Sequence, residues 1–367
     1  MTVSSAEPFE PPPYPYDRLD ELRALADALP GGIVDLSVGT PYDPPPAAVV
    51  EALARSDAER GYPPSIGTPA YREATARWME RRLGVVVDPR HVAACVGTKE
   101  LVAGLPHWLR LHRPQRDTVL YPAISYPTYA MGATLARCRA VPYRDVSDID
   151  EADAVRALCL WANVPGNPTG ELGDLGAAAA WGRAHGVPVL SDECYVEFTW
   201  DGPLRTVLEH GNEGVLAIHS LSKRSNLAGV RAGFYAGDPF LVQYLSELRK
   251  HMGLIVPGPV QAAAVVAWDD DAHVDAQRDR YRARLDVARR ALAAAGVEAP
   301  LPGGAFYLWA PASGGDAWGL ARRLAQVGGA LVSPGEFYGT DGSGHVRVAV
   351  VQPDDRLALV ADRLSAA

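Results

Sequence analysis

Cysteine is scarce. The chain has four in 367 residues, Cys95, Cys138, Cys159 and Cys194, and none pairs into a C-x-x-C or a metal-finger spacing. That excludes a disulfide-stapled scaffold and a dithiol redox site, and no metal centre is expected. Core thiols in a reducing cytoplasm fit the pattern. Basic charge is not in excess either: 35 Lys and Arg stand against 44 Asp and Glu, a formal net charge of −9. The basic residues are scattered, so neither nucleic acid nor an anionic membrane is expected as a partner. No apolar run is long enough to cross a bilayer, and the polar N-terminus lacks the basic and apolar regions of an export signal. Repeats are absent too. The one biased stretch holds Pro8, Pro11, Pro12, Pro13 and Pro15, which deny the backbone regular hydrogen bonds and imply an extended arm.

What is present is an alternation of strand-like and helical segments in a chain with enough apolar content for two domains. Helical spacing over 19–29 stops at Pro30-Gly31-Gly32, and a strand-like run over 33–38 enters the turn Gly39-Thr40-Pro41-Tyr42-Asp43-Pro44. Helices are expected over 47–54, 71–83, 101–111, 125–137, 175–185 and 240–252, and strands over 92–96, 118–121, 140–143, 157–161, 187–190 and 215–218. Such units predict an α/β fold: a mostly parallel sheet, helices on both faces, and ligands at the carboxyl ends of the strands. Asn167, Asp192, Lys223 and the Gly97 turn all fall at such ends. Asp269-Asp270-Asp271 reads as a solvated junction before a helix over 281–295. After residue 306 the pattern changes to that of a smaller α+β domain. The expected division is an N-terminal arm and small-domain segment over 1–40, a large domain over 41–258, and a small domain over 259–367.

The chain is anchored on S-L-S-K-R-S-N-L-A-G-V-R-A-G, residues 220–233. A lysine amine becomes nucleophilic when burial or a nearby cation lowers its pKa, and it can then form an imine; Lys223 is placed for that. Arg231 offers forked donors suited to a phosphate. Ser220 and Ser222 leave room for a bulky group and offer it hydroxyls. An imine-forming lysine beside a phosphate-gripping arginine is what pyridoxal 5'-phosphate requires. Gly97-Thr98-Lys99, between a strand and a helix, forms a second anion site, where free N–H groups point outward. It is not a P-loop, whose upstream glycine is missing. Two other readings exist for Lys223: a solvated loop lysine, and the S-x-x-K nucleophile of penicillin-binding enzymes, whose S-D-N and K-T-G elements do not occur here.

Taken in order, N-P-T-G at 167–170, S-D-E-C-Y at 191–195, S-L-S-K at 220–223 with Arg231, and Arg347 on a late strand resemble the class I and II aminotransferases, pyridoxal-phosphate enzymes of fold type I. The resemblance runs from Gly39 to Arg347. It implies an aspartate-aminotransferase-like fold and a role for each residue. Lys223 would hold the cofactor as an imine and then move the substrate proton. Asp192, otherwise a turn or helix cap, would pair with the pyridinium nitrogen. Asn167 and Tyr195 would bond the phenolic oxygen, and Tyr126 would stack on the ring. Gly97, Thr98, Lys99, Ser220, Ser222 and Arg231 would surround the phosphate, joined by Tyr62 of a neighbouring subunit, which implies a homodimer. Arg347, otherwise a strand-edge charge, would grip the substrate carboxylate with Asn167 and Gly39 beside it.

A closer similarity, over 14–17, 34–41, 97–102 and 125–129, is to actinobacterial-type N-succinyldiaminopimelate aminotransferases. It implies glutamate as donor and L-2-succinylamino-6-oxopimelate as the keto-acid acceptor. Two features depart from the general family: Tyr42 follows Pro41 with Asp43 one place later, and Val164-Pro165-Gly166 precedes Asn167. For the succinyl carboxylate, Lys99, Arg224 and Arg72 are the cations near the motifs. Alternatives are an aminotransferase of another amino acid or of specialised metabolism, a C–S lyase or decarboxylase on the same scaffold, and a cofactor-binding regulator. The last lacks a basic helix-turn-helix before Pro30.

Overall fold

The computed structural model describes residues 9–366, so Pro8 lies outside the described residues. Strands appear in chain order as β1 (Val34–Asp35), β2 (Val92–Cys95), β3 (Thr118–Pro122), β4 (Arg139–Tyr143), β5 (Ala157–Asn163) and β6 (Val189–Asp192). They continue as β7 (Val215–Ser220), β8 (Gly233–Gly237), β9 (Tyr307–Pro311), β10 (Ala330–Leu331), β11 (Ser333–Pro334) and β12 (His345–Ala349). Seven form a central sheet in the order β2-β8-β7-β6-β5-β3-β4. Every residue of β5 is buried, as expected of a continuous apolar strand covered on both faces by helices.

One strand runs against the rest. β8 is antiparallel to both β7 and β2, so its first residue, Gly233, sits beside the last residues of those strands, Ser220 and Cys95. Parallel pairing places Asn163 beside Asp192. One edge of the sheet therefore collects the chain after Cys95, Asn163, Asp192 and Ser220 together with the chain before Gly233. That is why motifs far apart in sequence meet.

A second, smaller layer is built from the antiparallel sheet β9-β12-β11 and the parallel pair β1-β10. It is packed by helices Asp20–Asp27, Ala272–Ala294, Ala317–Gly328 and Asp354–Ser365. Leu19, Leu22, Val34 and Leu36 join its core, which ties the N-terminal segment to the C-terminal one. Helix Gly258–Asp269, by contrast, places Ala263, Ala264, Ala267 and Trp268 in the core that contains Val49, Trp78 and Phe234. That helix, although it follows residue 258, thus packs with the core of the central sheet.

Several elements differ from expectation for local reasons. Helix Pro69–Trp78 starts two residues early, because Pro69 suits a first helical position and the Thr68 hydroxyl accepts from Tyr71 N at 3.2 Å. Helix Thr98–His112 begins directly after Gly97, and helix Thr128–Leu135 begins only after Pro127. The helix expected over 281–295 spans Ala272–Ala294, its polar first turns having hidden the period. Most informative is the triple aspartate. Asp269 pairs with Arg77 at 2.7 Å, and Asp271 pairs with Arg81 at 3.1 Å and with the buried Arg224 at 2.9 Å. The Asp270 carboxylate accepts from Ala272 N at 2.9 Å. The run ties the end of helix Gly258–Asp269 and the start of helix Ala272–Ala294 to Arg77, Arg81 and Arg224, and is not a merely solvated junction.

Candidate active site

The collected sheet edge and the small layer enclose a cleft of about 440 Å³. Ser220, the last residue of β7, caps a short helix, Leu221–Arg224, which sets Lys223 at the floor. The Lys223 ammonium donates to the Gly39 carbonyl from the facing wall. Desolvation, helped by the cations Arg347 and Arg231, pushes the Lys223 pKa down to about 8. Asp192 ends β6 with its carboxylate accepting from Tyr129 Oη at 2.9 Å and from Cys194 N at 3.2 Å. Burial holds its pKa above the ordinary carboxylate value. The acid is buried with neutral donors, an environment that a cation placed alongside would relieve.

The anion cradle lies next to it. Gly97 has φ +70°, and a Cβ there would stand 2.1 Å from Arg231 Nη2. Only glycine lets the β2 turn and Arg231 approach so closely. Arg231 itself is left-handed, with φ 61°, and is braced by donating to the Ala228 carbonyl at 2.7 Å. Ser220 Oγ donates to Ser222 Oγ at 2.9 Å and accepts from Ser222 N at 3.1 Å. With the first N–H groups of helix Thr98–His112, these groups make a concave site for a phosphate.

At the other end, Arg347 on β12 is only 2 % exposed. It donates to Asn167 Oδ1 at 2.7 Å, to Tyr16 Oη at 3.3 Å and to the Ser37 carbonyl. The Tyr307 and Tyr338 rings flank its guanidinium at 4.3 and 4.7 Å. No carboxylate among the described residues pairs with it. A buried cation with neutral partners is costly unless an anion arrives. Tyr195 shares a 2.7 Å hydrogen bond with Tyr307. A Cβ on Gly39 would collide with the Tyr307 hydroxyl at 2.1 Å, so this wall too requires glycine.

Thr98, Lys99, Tyr126, Asn167, Asp192, Tyr195, Ser220, Ser222, Lys223, Arg231, Gly39 and Arg347 all line the cleft, and Gly97 lies just behind Arg231. Tyr62 does not. It is 99 % exposed and borders a separate hollow with Arg60 and Gln261. Two of the three cations considered for a distal carboxylate are also elsewhere. Arg224 is buried beneath the floor, bound to Glu197 at 3.2 Å and Asp271 at 2.9 Å, and Arg72 donates to the Pro89 carbonyl at 3.2 Å. Lys99 remains, donating to Tyr14 Oη at 3.3 Å and lying over its ring.

Sequence reasoning missed Tyr129, Asn163, Tyr16 and Tyr307. Asn163 Nδ2 donates to the Asp192 carbonyl at 2.9 Å, and its Oδ1 accepts from Asn167 N at 2.8 Å, joining the ends of β5 and β6. Its position at a strand end, four residues before Asn167, was the one available signal.

The residues present fit pyridoxal phosphate: a lysine poised to lose its proton, a buried acid short of a cation, and a glycine-shaped anion cradle within one cleft. The comparisons agree. Over 96 % of this chain and 99 % of theirs, the match to a probable N-succinyldiaminopimelate aminotransferase of Thermus thermophilus has a TM-score of 0.85 at 31 % identity. The chain is 44 % identical to 4-dedimethylamino-4-oxo-anhydrotetracycline transaminase OxyQ of Streptomyces rimosus, over 97 % of this chain and 99 % of that one. It is 33 % identical to the LL-diaminopimelate aminotransferase of Desulforudis audaxviator, over 96 % and 95 %. These neighbours set the class: the fold is that of the pyridoxal-phosphate-dependent enzymes built like aspartate aminotransferase. More narrowly, the chain belongs to the class I and II aminotransferases, which match residues 32–364.

Proposed function

We propose that the protein carries an amino group from glutamate to a keto acid, with L-2-succinylamino-6-oxopimelate as the acceptor. The observation that carries the glutamate half of the reading is Arg347, a buried guanidinium that no acid among the described residues pairs with, facing the cleft that holds Lys223. An α-carboxylate would give it a bidentate partner. Lys99 is the cleft cation left for a distal carboxylate, and relatives named as diaminopimelate and N-succinyldiaminopimelate aminotransferases support that acceptor.

Bound pyridoxal phosphate supplies an aldehyde for the amine and a ring that accepts electron density when the Cα–H bond breaks. The chain would do the rest. Lys223 Nζ would hold the cofactor, and as a free amine, with its pKa lowered to about 8, it would be a base in the right range to move the Cα proton. Asp192, steadied by Tyr129, would keep the ring nitrogen protonated. Asn167 and Tyr195 would hold the phenolic oxygen, and Tyr126 would lie against the ring. Arg231, Ser220, Ser222, Thr98 and the Lys99 N–H would hold the phosphate. Tyr62, exposed at the rim of its own hollow, would by its match to the family's tyrosine reach the phosphate of a second copy in a homodimer.

A second reading follows from the OxyQ match: glutamate as donor, but a 4-oxo-anhydrotetracycline as acceptor. Arg347 would serve glutamate in both cases and does not choose between them. The test is a visible spectrum of the holoenzyme before and after glutamate, followed by each acceptor in turn. Glutamate should abolish the band of the lysine-linked cofactor, and the succinylated keto acid should restore it. No response to glutamate sinks the donor. Restoration by the tetracycline ketone alone selects the second reading.

A further inference from the structure

The wall of the cleft that faces Lys223 is a loop with little backbone anchorage. Gly39 and Thr40 line the cleft, and Pro41, Pro44, Pro45 and Pro46 follow, without N–H groups to donate. Tyr42 N bonds the Val351 carbonyl at 3.2 Å. The strong tie is one side chain. Asp43 takes both ends of the Arg284 guanidinium, at 2.5 and 2.9 Å, and accepts from Gln277 Nε2 at 2.8 Å. Gln277 and Arg284 are seven residues apart on helix Ala272–Ala294, hence on one face of it, and both are buried. Gln277 Oε1 also accepts from Asn226 Nδ2 at 3.3 Å. Asn226 lies three residues beyond Lys223 with a left-handed φ of 55°. One buried glutamine thus touches the loops on both sides of the reacting lysine, and Arg284 fixes the aspartate that it holds.

We propose that Asp43, Gln277 and Arg284 form a positioning clamp that sets the substrate-side wall, Gly39 and Thr40, against the Lys223 loop. The clamp rests on the reading of that wall as the amino-donor side. None of the three lines the cleft, so they act through the wall and not on the reacting atoms. The prolines stiffen the loop, but stiffness does not place it. Placement comes from the bidentate ion pair, because a planar guanidinium and a carboxylate fix each other's orientation as well as distance. A shift of about one ångström in a group that orients substrate is enough to cost reactivity.

The experiment uses the holoenzyme and Asp43→Asn, which keeps size and an acceptor for Gln277 but loses the ion pair. Glutamate concentration for half-saturation of the spectral change should rise about tenfold or more, while the limiting rate and pyridoxal-phosphate affinity stay within about threefold. Backbone hydrogen exchange should quicken at 39–43 and not at 97–101. Gln277→Met should move both readouts in the same direction. Asp354→Asn removes the other, exposed partner of Arg284, 2.6 Å from its Nε, and should leave glutamate saturation unchanged. Wild-type saturation and wild-type exchange in Asp43→Asn would overturn the clamp, as would a loss of cofactor affinity in step with glutamate. Were the wild type unresponsive to glutamate, the donor assignment would fail, and the exchange comparison would still decide the clamp.

Discussion

The hydroxyl of Tyr129 donates to Asp192 Oδ2 across 2.9 Å, from a ring that is itself buried and stacked on Trp161 at 5.0 Å. The acid that faces the cleft is thus oriented by a phenol that borders the same cleft. Stacking fixes the ring, the ring fixes the hydroxyl, and the hydroxyl aims the carboxylate.

Tyr129→Phe keeps the stacking and removes the donor. Hydrogen bonds to charged groups contribute about 1.5–3 kcal/mol, so pyridoxal-phosphate affinity should fall by roughly tenfold while the secondary structure is unchanged. Titration of the cofactor-free protein by fluorescence would measure it. Unaltered affinity would mean that Asp192 needs no help to meet the ring nitrogen.

Lys223 makes the cleft sensitive to pH, with a sign that can be worked out. Its folded pKa of about 8 lies below the roughly 10.4 of a free lysine. Below about pH 8 both states carry the ammonium, and the folded one bears the full cost of burying it. As pH rises from 8 to about 10.4 the folded state holds fewer protons than the unfolded state, so this group's contribution makes stability increase. Urea unfolding of the cofactor-free protein should show that rise relative to Lys223→Met, which lacks the titrating group and should be the more stable at pH 7. Parallel pH curves for the two proteins would show that the lysine is not desolvated. Attachment of the cofactor needs the free amine, so its rate should climb about tenfold per pH unit below 8 and level off above.

Much of the scaffold was legible because its signals are local: apolar runs, helical spacing, and glycine and proline stops recur through 92–220. The direction of β8 was not. Gly-Phe-Tyr-Ala-Gly, short and bounded by glycines, was not expected as a strand at all and says nothing of its neighbour or direction, yet its pairing brings Arg231 to the Gly97 turn. The motif residues were legible as chemistry: lysine, acid, arginine and glycine at strand ends. Tyr129, Tyr307 and Tyr16 were not, since a tyrosine in an apolar stretch looks the same whether it packs or aims a partner. Arg224 misled for the opposite reason. Adjacent to Lys223 in sequence, it points below the floor, where Glu197 and Asp271 neutralise it.

Gly97→Ala tests the cradle without replacing a charged group. The new methyl would fall 2.1 Å from Arg231 Nη2 at a backbone φ of +70°, so Arg231 or the turn must move. Pyridoxal phosphate should bind at least about tenfold more weakly, as expected when a charge-assisted phosphate contact is disturbed. Pyridoxal, which lacks the phosphate, should bind as it does to the wild type. An equal loss for both molecules would place the damage at the ring and not at the phosphate.

Arg347 separates binding from stability. Its fork already contacts Asn167, Tyr16 and Ser37, so lysine, with one point of charge, cannot reproduce both the orientation and those contacts. Arg347→Lys should weaken glutamate in the half-reaction by about 30-fold or more, at the lower end of the ~2–5 kcal/mol for losing one partner of a buried charge pair. Cofactor affinity should be nearly unchanged. Stability should move the other way from activity. The arginine is buried without an acid, so Arg347→Met removes an uncompensated charge between two tyrosine rings and keeps an apolar side chain of useful length. The cofactor-free variant should unfold at the same urea concentration as the wild type or a higher one. A variant that loses glutamate binding and also unfolds at markedly lower urea would show that Arg347 holds the small layer together, and the assignment of its cation to the substrate carboxylate would have to be withdrawn.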